Sequence, residues 1–342
     1  MSTIAVNAIT DANGGSTTSI NGTTPNAYNT VGKNRIINGA MQIAQRGTSA
    51  TGISNNTYPA LDRWKYFLSG PTVDVSQQSF TLGQTDVTGE PEFYLRNTVS
   101  SNSGTSDYVI LAQHIEDVRT FAGQTCTLSF WAKSSVSGNK IAIELNQSFG
   151  TGGSASSRVV TADSDSVTLS TSWQKFSVTL TLPSISGKTI DPSTNTSYLE
   201  LYLWLSSGSA YDSRASSIGN QAGNFDITLI QFEAGESATE FEHRPYGTEL
   251  LLCQRYYQFI DGAEYSNEAI WSSYGAAYNY VNWQYKVQMR SQPTIAGLYE
   301  GTGLMRGTYG ATIYTAGNAW ASFGWSNTSG GTLGICSADA EL

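Results

Sequence analysis

The sequence predicts an all-β protein: a jelly-roll β-sandwich with an extended N-terminal arm before it and a small C-terminal β-domain after it. Three observations predict this class. Short stretches with strict two-residue alternation recur between Gly- and Asn-rich spacers, as in a sandwich. The 19 tyrosines, with many Thr and Val, favour strands over helices. Charged residues make up only 13% of the 342, so hydroxyls and amides wet the surface in place of ions. At roughly 150 residues per domain, that length implies two or three units.

Residues 1–33 are rich in Ser, Thr, Asn and Gly, with isolated apolar residues such as Ile4, Val6 and Ile9. These are too few to bury a core. The segment reads equally as a flexible tail or as an attachment arm whose Ile4, Val6 and Ile9 add a strand to a neighbouring sheet edge.

Residues 34–247 carry the sandwich pattern. TLSFWAK sets Leu128, Phe130 and Ala132 against Ser129, Trp131 and Lys133. KIAIELNQ sets Ile141, Ile143 and Leu145 against Ala142, Glu144 and Asn146. Phe176, Val178, Leu180 and Leu182 share one side of the next strand, and Leu199, Leu201, Leu203 and Leu205 one side of YLELYLWL. Each strand therefore owns an aliphatic face for the core. The spacers FGTGGSASSR and SSGSAYDSRASSIGNQAG read as rim loops. From 248 to 342 the text turns to Tyr, Trp and Gly in short strands. YNYVNWQY alternates Tyr278, Tyr280, Asn282 and Gln284 with Val281, Trp283 and Tyr285, one set for a core and one for an outer contact.

Charge and cysteine content exclude several classes. A net charge of −9 without a basic cluster argues against nucleic acid, whose binding is driven by Lys and Arg displacing counterions. Cys126, Cys253 and Cys336 are widely spaced and read as buried thiols, with neither a disulfide framework nor a zinc site. The start MSTIAVNAITDANGG lacks a signal-peptide pattern and no window reaches the length of a membrane span, so no membrane insertion is expected. An extracellular style of composition without an export signal fits a virus particle released by lysis, assembled in the host cytoplasm.

The candidate binding residues lie opposite the aliphatic faces: Trp131, Glu144, Asn146, Glu200, Tyr202 and Trp204. Pyranose rings stack their C–H faces on aromatic rings while carboxylates and amides serve the hydroxyls, so this mixture suits a glycan if the strands are adjacent. The same face would equally pack beneath a long loop or a second subunit. Asp62, Arg63 and Trp64 read as structural, with Trp64 capping the core. No catalytic residue is expected. The two histidines, His114 and His243, lack a nucleophile motif, and the acidic pairs Glu116 with Asp117 and Asp163 with Asp165 are sequence neighbours, whereas glycoside hydrolysis needs two carboxylates facing across a cleft.

Two resemblances extend this reading. NRIINGAM followed by DRW, then TLSFWAK, then NFDITLIQFEAG resemble the opening, central and closing strands of cellulose- and xylan-binding jelly-roll modules. That likeness implies a carbohydrate-binding-module-like sandwich and a weak structural calcium candidate at Asp226, although no dense acidic loop supplies the six or more oxygens calcium takes. Across nearly the whole chain, TTPNAYNTVGKNRIINGAMQIAQRG, YPALDRW, QFEAGESATEFEHRPYGTELLLCQRYYQF, MRSQPTI and ADAEL together resemble bacteriophage virion proteins, tail fibres and virion structural proteins. This implies an oligomeric virion component with an N-terminal attachment segment and other tail or capsid proteins as partners, without placing it on the particle; the first expectation is a tail fibre, a homo-oligomer and specifically a trimer, attached through that arm and meeting a host-surface glycan. A capsid decoration protein is the alternative, and a glycan depolymerase comes after it. The chain has no heptad segment, so a trimer must form through β faces, the aromatic C-terminal domain or the arm.

Overall fold

The computed structural model describes residues 32–161, 166–192, 196–260, 269–274, 278–296, 312–316, 320–326 and 336–342. Ile4, Val6, Ile9, Asp163 and Asp165 lie outside them. The body is a sandwich of two antiparallel sheets. The first has the order β1 (Ser49–Ala50), β3 (Val73–Ser79), β4 (Phe93–Val99), β12 (Gly223–Ala234), β6 (Thr125–Ser134) and β10 (Gln174–Thr181). The second runs β2 (Lys65–Ser69), β5 (Tyr108–Glu116), β11 (Tyr198–Ser207), β7 (Lys140–Ser148) and β8 (Val159–Thr161), with β9 (Ser166–Thr168) also paired to β7.

The aliphatic faces read from alternation meet between the sheets. Leu128, Phe130, Val178, Leu180 and Phe232 of the first pack with Ile141, Ile143, Leu145 and the four leucines of β11 from the second. A period-two pattern suffices for this because a strand sends alternate side chains to opposite faces. Burying a Leu or Phe side chain contributes roughly 1.5–3 kcal/mol each, so this layer is the main source of stability.

The opening segment is stitched to the closing strand by amides. Asn34 Oδ1 accepts from the backbone N–H groups of Ile36 and Phe232, and its Nδ2 donates to the Ile230 carbonyl. Asn38 takes the left-handed conformation (φ 60°). Its Nδ2 donates to the carbonyls of Ile43 and Asp62, and the Trp64 indole donates to its own carbonyl. Asp62 and Arg63 are buried, and Trp64 lies in the core. Asp62 accepts from the Gln45 backbone N–H and side-chain amide.

One element was not foreseen. Tyr246–Gln254 forms a helix, α1, so the boundary expected after residue 247 falls inside a regular element. TELLLCQ lacks period-two alternation and is built of good helix formers, with Pro245 at its start, where a proline is tolerated. Its Glu249 is buried and accepts from the Asn38 backbone N–H and from Arg244, which fixes the helix to the sandwich.

Beyond it, β13 (Tyr257–Ile260), β19 (Cys336–Asp339) and β16 (Thr294–Ala296) form a three-stranded sheet. A four-stranded sheet has the order β14 (Ala269–Tyr274), β15 (Tyr278–Gln284), β18 (Trp320–Ser326) and β17 (Thr312–Ala316). Trp283 and Tyr285 are buried edge to face, with ring centroids 4.9 Å apart, and Gln284 between them is exposed. The side chains of Tyr278, Tyr280, Val281 and Asn282 lie outside the described residues. The last residues return to the sandwich: Arg63 pairs with Glu341 and stacks 3.5 Å from the Tyr256 ring centroid, and Arg46 pairs with Asp339 at 3.0 Å.

Candidate functional site

Five of the six expected binding residues share the outer face of the second sheet. Register aligns Tyr202 with Glu144 on β7 and Ala112 on β5, and in the next row Glu200 with Asn146 and His114. Trp131 is elsewhere. Its strand β6 belongs to the first sheet, where it pairs with Lys175 and Thr228, so the six do not form one surface.

The spacer after β11, expected at a rim, folds back over one half of this face. Its 3-10 turn, Ser209–Tyr211, sets Tyr211 against Trp204 at 5.6 Å, and Ala215 and Ile218 join the same cluster. Arg214 donates from Nε and Nη2 to the two Glu144 oxygens at 3.2 and 2.6 Å, and the Trp204 indole donates to Glu144 Oε2 at 3.0 Å. Trp204 is thereby left 1% exposed. Half of the aromatic face is packed under the chain's own loop.

The other half centres on Glu200. His114 Nε2 lies 2.7 Å from Glu200 Oε1, and its Nδ1 lies 2.9 Å from the Leu342 carbonyl oxygen. A neutral ring has one N–H for these two acceptors. Arg158, just before β8, brings Nη2 to 2.5 Å from Glu200 Oε2 and stands 5.3 Å over the Tyr202 ring. The Arg158 side chain is 39% exposed and that of Glu200 only 2%, so the guanidinium roofs the carboxylate at the solvent boundary. Asn146, fully buried in the same row, has neither amide atom hydrogen-bonded. Lys65 closes the opposite side, donating to the Leu342 carbonyl at 3.0 Å.

Burial dominates the electrostatics. It pushes His114 toward its neutral form, against the hydrogen bond and charge of Glu200. It also lowers the Lys65 ammonium and raises the Tyr202 phenol. Burial would raise Glu200 too, but the His114 hydrogen bond and the Arg158 charge outweigh it and hold this carboxyl below its ordinary range. A carboxylate held ionised is a poor proton donor and a good hydrogen-bond acceptor. Glu116 is similar: its burial is outweighed by Arg255, 2.6 Å away, and by the Tyr256 hydroxyl. Asp117 pairs with Arg119.

Asp226 is not a calcium ligand in this arrangement. Arg96 grips both of its oxygens at 2.8 Å, and Lys133 lies 3.9 Å away, so cationic side chains already occupy the carboxylate. Among the described residues no group of three or more His, Cys, Asp or Glu is placed to hold a metal.

Other features were not read from the sequence. A cavity of about 590 Å³ opens at the seam of the opening segment and α1, lined by Arg35, Ile37, Glu242, Arg244 and Tyr256 among others. On the first sheet, Trp131 borders a groove of about 110 Å³ with Ser129, Lys175, Leu229, Phe241 and His243. Near it Phe80, Tyr94 and Trp173 form a half-buried ring cluster. Their separation along the chain hid this cluster, although Phe93, Tyr94, Leu95 and Arg96 do alternate.

No protein-family model matches the chain, and no curated protein matches it. Among solved structures, the chain is similar to the family 11 carbohydrate-binding module of the cellulosomal cellulase Lic26A-Cel5E of Clostridium thermocellum, with 14% identity and a TM-score of 0.31 over 56% of this chain and 98% of that one. It is similar to the CBM22-1 xylan-binding domain of Paenibacillus barcinonensis Xyn10C, with 10% identity and a TM-score of 0.28 over 56% and 99%. The C-terminal family 22 module of Clostridium thermocellum Xyn10B gives 14% identity and 0.31 over 57% and 98%.

Proposed function

We propose that this chain is a non-enzymatic glycan-binding component of a bacteriophage particle, a tail fibre attached through residues 1–33, and that it takes host-surface glycan beside Glu200 on the outer face of the second sheet. The observation that carries the glycan reading is Asn146: a buried amide with neither atom partnered, in register with the ionised Glu200 and next to the half-open Arg158. A buried polar group without a partner costs about 1–3 kcal/mol, and a hydroxyl-rich ligand supplies both the acceptor and the donor it lacks. The Tyr202 ring beneath Arg158 offers the apolar contact once the guanidinium turns outward. Trp204, packed under the loop, acts as support in this reading. The particle role rests on the five ordered sequence blocks that resemble those of phage virion proteins. On a particle, weak single sites add up through several tethered copies meeting one surface.

A glycan panel titrated against the intact chain tests the site. Asn146→Ala should abolish binding while circular dichroism and melting stay near wild type; undiminished binding in that variant would sink the site. Imaging of particles tests the role. A few copies at the tail support a fibre, and hundreds on the shell would make the protein a capsid decoration instead.

A further inference from the structure

The outer face of the first sheet carries a second, unrelated arrangement. Phe80 follows β3, Tyr94 lies on β4 and Trp173 precedes β10. Their ring centroids are 4.9 Å (Phe80 to Tyr94), 5.3 Å (Phe80 to Trp173) and 5.3 Å (Tyr94 to Trp173) apart, the last pair at 80°. β12 and β6 lie between β4 and β10 in the sheet, so the rings bridge across the middle of the face and stay partly open to solvent. Two rings set edge to face with a third beside them form a shallow cup, and an aromatic cup takes the C–H face of a pyranose.

Cations rim this cup. Lys133 Nζ stands 5.1 Å over the Trp173 ring and the Arg96 guanidinium 5.6 Å over Tyr94. The anion between them, Asp226, is already gripped by Arg96 through both oxygens, leaving Lys133 a longer 3.9 Å approach. Lys175, exposed opposite Trp131 in the register, makes no ion pair among the described residues. Glu92, exposed two residues before Tyr94 and bonded through its carbonyl to the Phe80 N–H, and Glu240 and His243 in the adjoining groove are the other ionisable groups nearby. Lys133 is the cation set over the Trp173 ring, and its acidic neighbour Asp226 is already held through both oxygens by Arg96.

We infer that this face is a second sugar site, selective for a carboxylated pyranose such as a hexuronate or sialate unit. The pyranose stacks on Trp173, with Tyr94 walling it edge-on, while its carboxylate accepts from the Lys133 ammonium, a charge-assisted bond stronger than a neutral one. The site shares no residue with the Asn146 and Glu200 face and does not depend on it.

The test titrates the full chain with oligogalacturonate and 3′-sialyllactose, each against its neutral counterpart, methyl-esterified oligogalacturonate and lactose, following tryptophan fluorescence. At least one acidic probe should bind more tightly than its neutral partner and lose affinity at high salt. Trp173→Ala should weaken it about tenfold and Lys133→Gln about two- to fivefold. Both positions are partly exposed, and unchanged melting temperatures verify that the variants fold. Asn146→Ala should leave this binding unchanged, so loss of one site is separable from loss of the other. Failure of both acidic probes to bind, equal affinity for the neutral counterparts, or full affinity in Trp173→Ala would overturn the proposal.

Discussion

His114 and Glu200 are buried side by side, and their shifts share a sign. Burial lowers His114, and Glu200 is lowered once His114 and Arg158 outweigh its burial. In both cases the folded chain binds fewer protons than the unfolded chain, so acid favours unfolding. Stability is full above the unfolded histidine value of about 6.5. It falls as pH drops through the lowered His114 value, and falls again below about 4.5, where unfolded glutamates titrate and where Glu116 adds to the loss. Melting temperature against pH should therefore decline in two steps, and His114→Gln should erase the upper one and shrink the lower, since Glu200 loses the imidazole bond; a variant that keeps both steps unchanged would remove His114 from this role. Arg63 makes a different case. It is buried, pairs with Glu341, donates to the His114 carbonyl at 2.5 Å and stacks on Tyr256. Breaking a buried pair from one side strands the other charge, so Arg63→Met should cost about 3–5 kcal/mol in chemical denaturation. The double variant Arg63→Met with Glu341→Gln should recover part of that.

Among the elements, the strands were legible and their neighbours were not. Leu199, Leu201, Leu203 and Leu205 reveal which side of β11 is inside because side-chain direction is local, set by the pleat. Which sheet a strand joins is a long-range matter, so alternation alone groups Trp131 with Trp204 although β6 and β11 lie in different sheets. The loop after β11 reads as a polar spacer because the residues that pack on Trp204 or its cluster, Tyr211, Arg214, Ala215 and Ile218, are scattered among Ser, Gly, Asp and Asn. Asn146 was legible as a polar outward residue, but its want of a partner is a property of the assembled row. The opening segment and β12 show how tightly distant elements are joined. The Gly39 carbonyl accepts from the Ile230 backbone N–H at 3.0 Å, and a Cβ at residue 39 would stand 2.2 Å from the Ile230 oxygen. That neighbour is backbone and cannot swing aside, so Gly39→Ala should destabilise by about 1–3 kcal/mol, read as an earlier denaturant midpoint with an unchanged slope. A variant as stable as wild type would mean that this close approach is relaxed in solution.

At the scale of the molecule, attachment and folding can be tested separately by where the N-terminal segment is cut. Its first bonds are made at the edge of that body: the Gly32 and Asn34 backbone N–H groups donate to the two oxygens of Glu242 at 2.8 Å, and Lys33 donates to the Glu240 carbonyl at 2.6 Å. Removal of 1–31 keeps these bonds, whereas removal of 1–33 deletes the Gly32 and Lys33 contributions. Against the 1–31 deletion, the 1–33 deletion should melt lower by the loss of the Gly32 and Lys33 bonds, worth roughly 0.5–1.5 kcal/mol each. If the proposed trimer forms through β faces or the C-terminal sheets, sedimentation of the shorter deletion should still give a particle near three times the 36.7 kDa chain, less the arm. If it forms through the arm, the deletion should sediment as a monomer. Incorporation into phage particles decides the remaining role of these residues: a folded oligomer that no longer assembles makes 1–31 the attachment arm, and one that assembles normally moves the attachment to the sandwich or to the aromatic C-terminal strands.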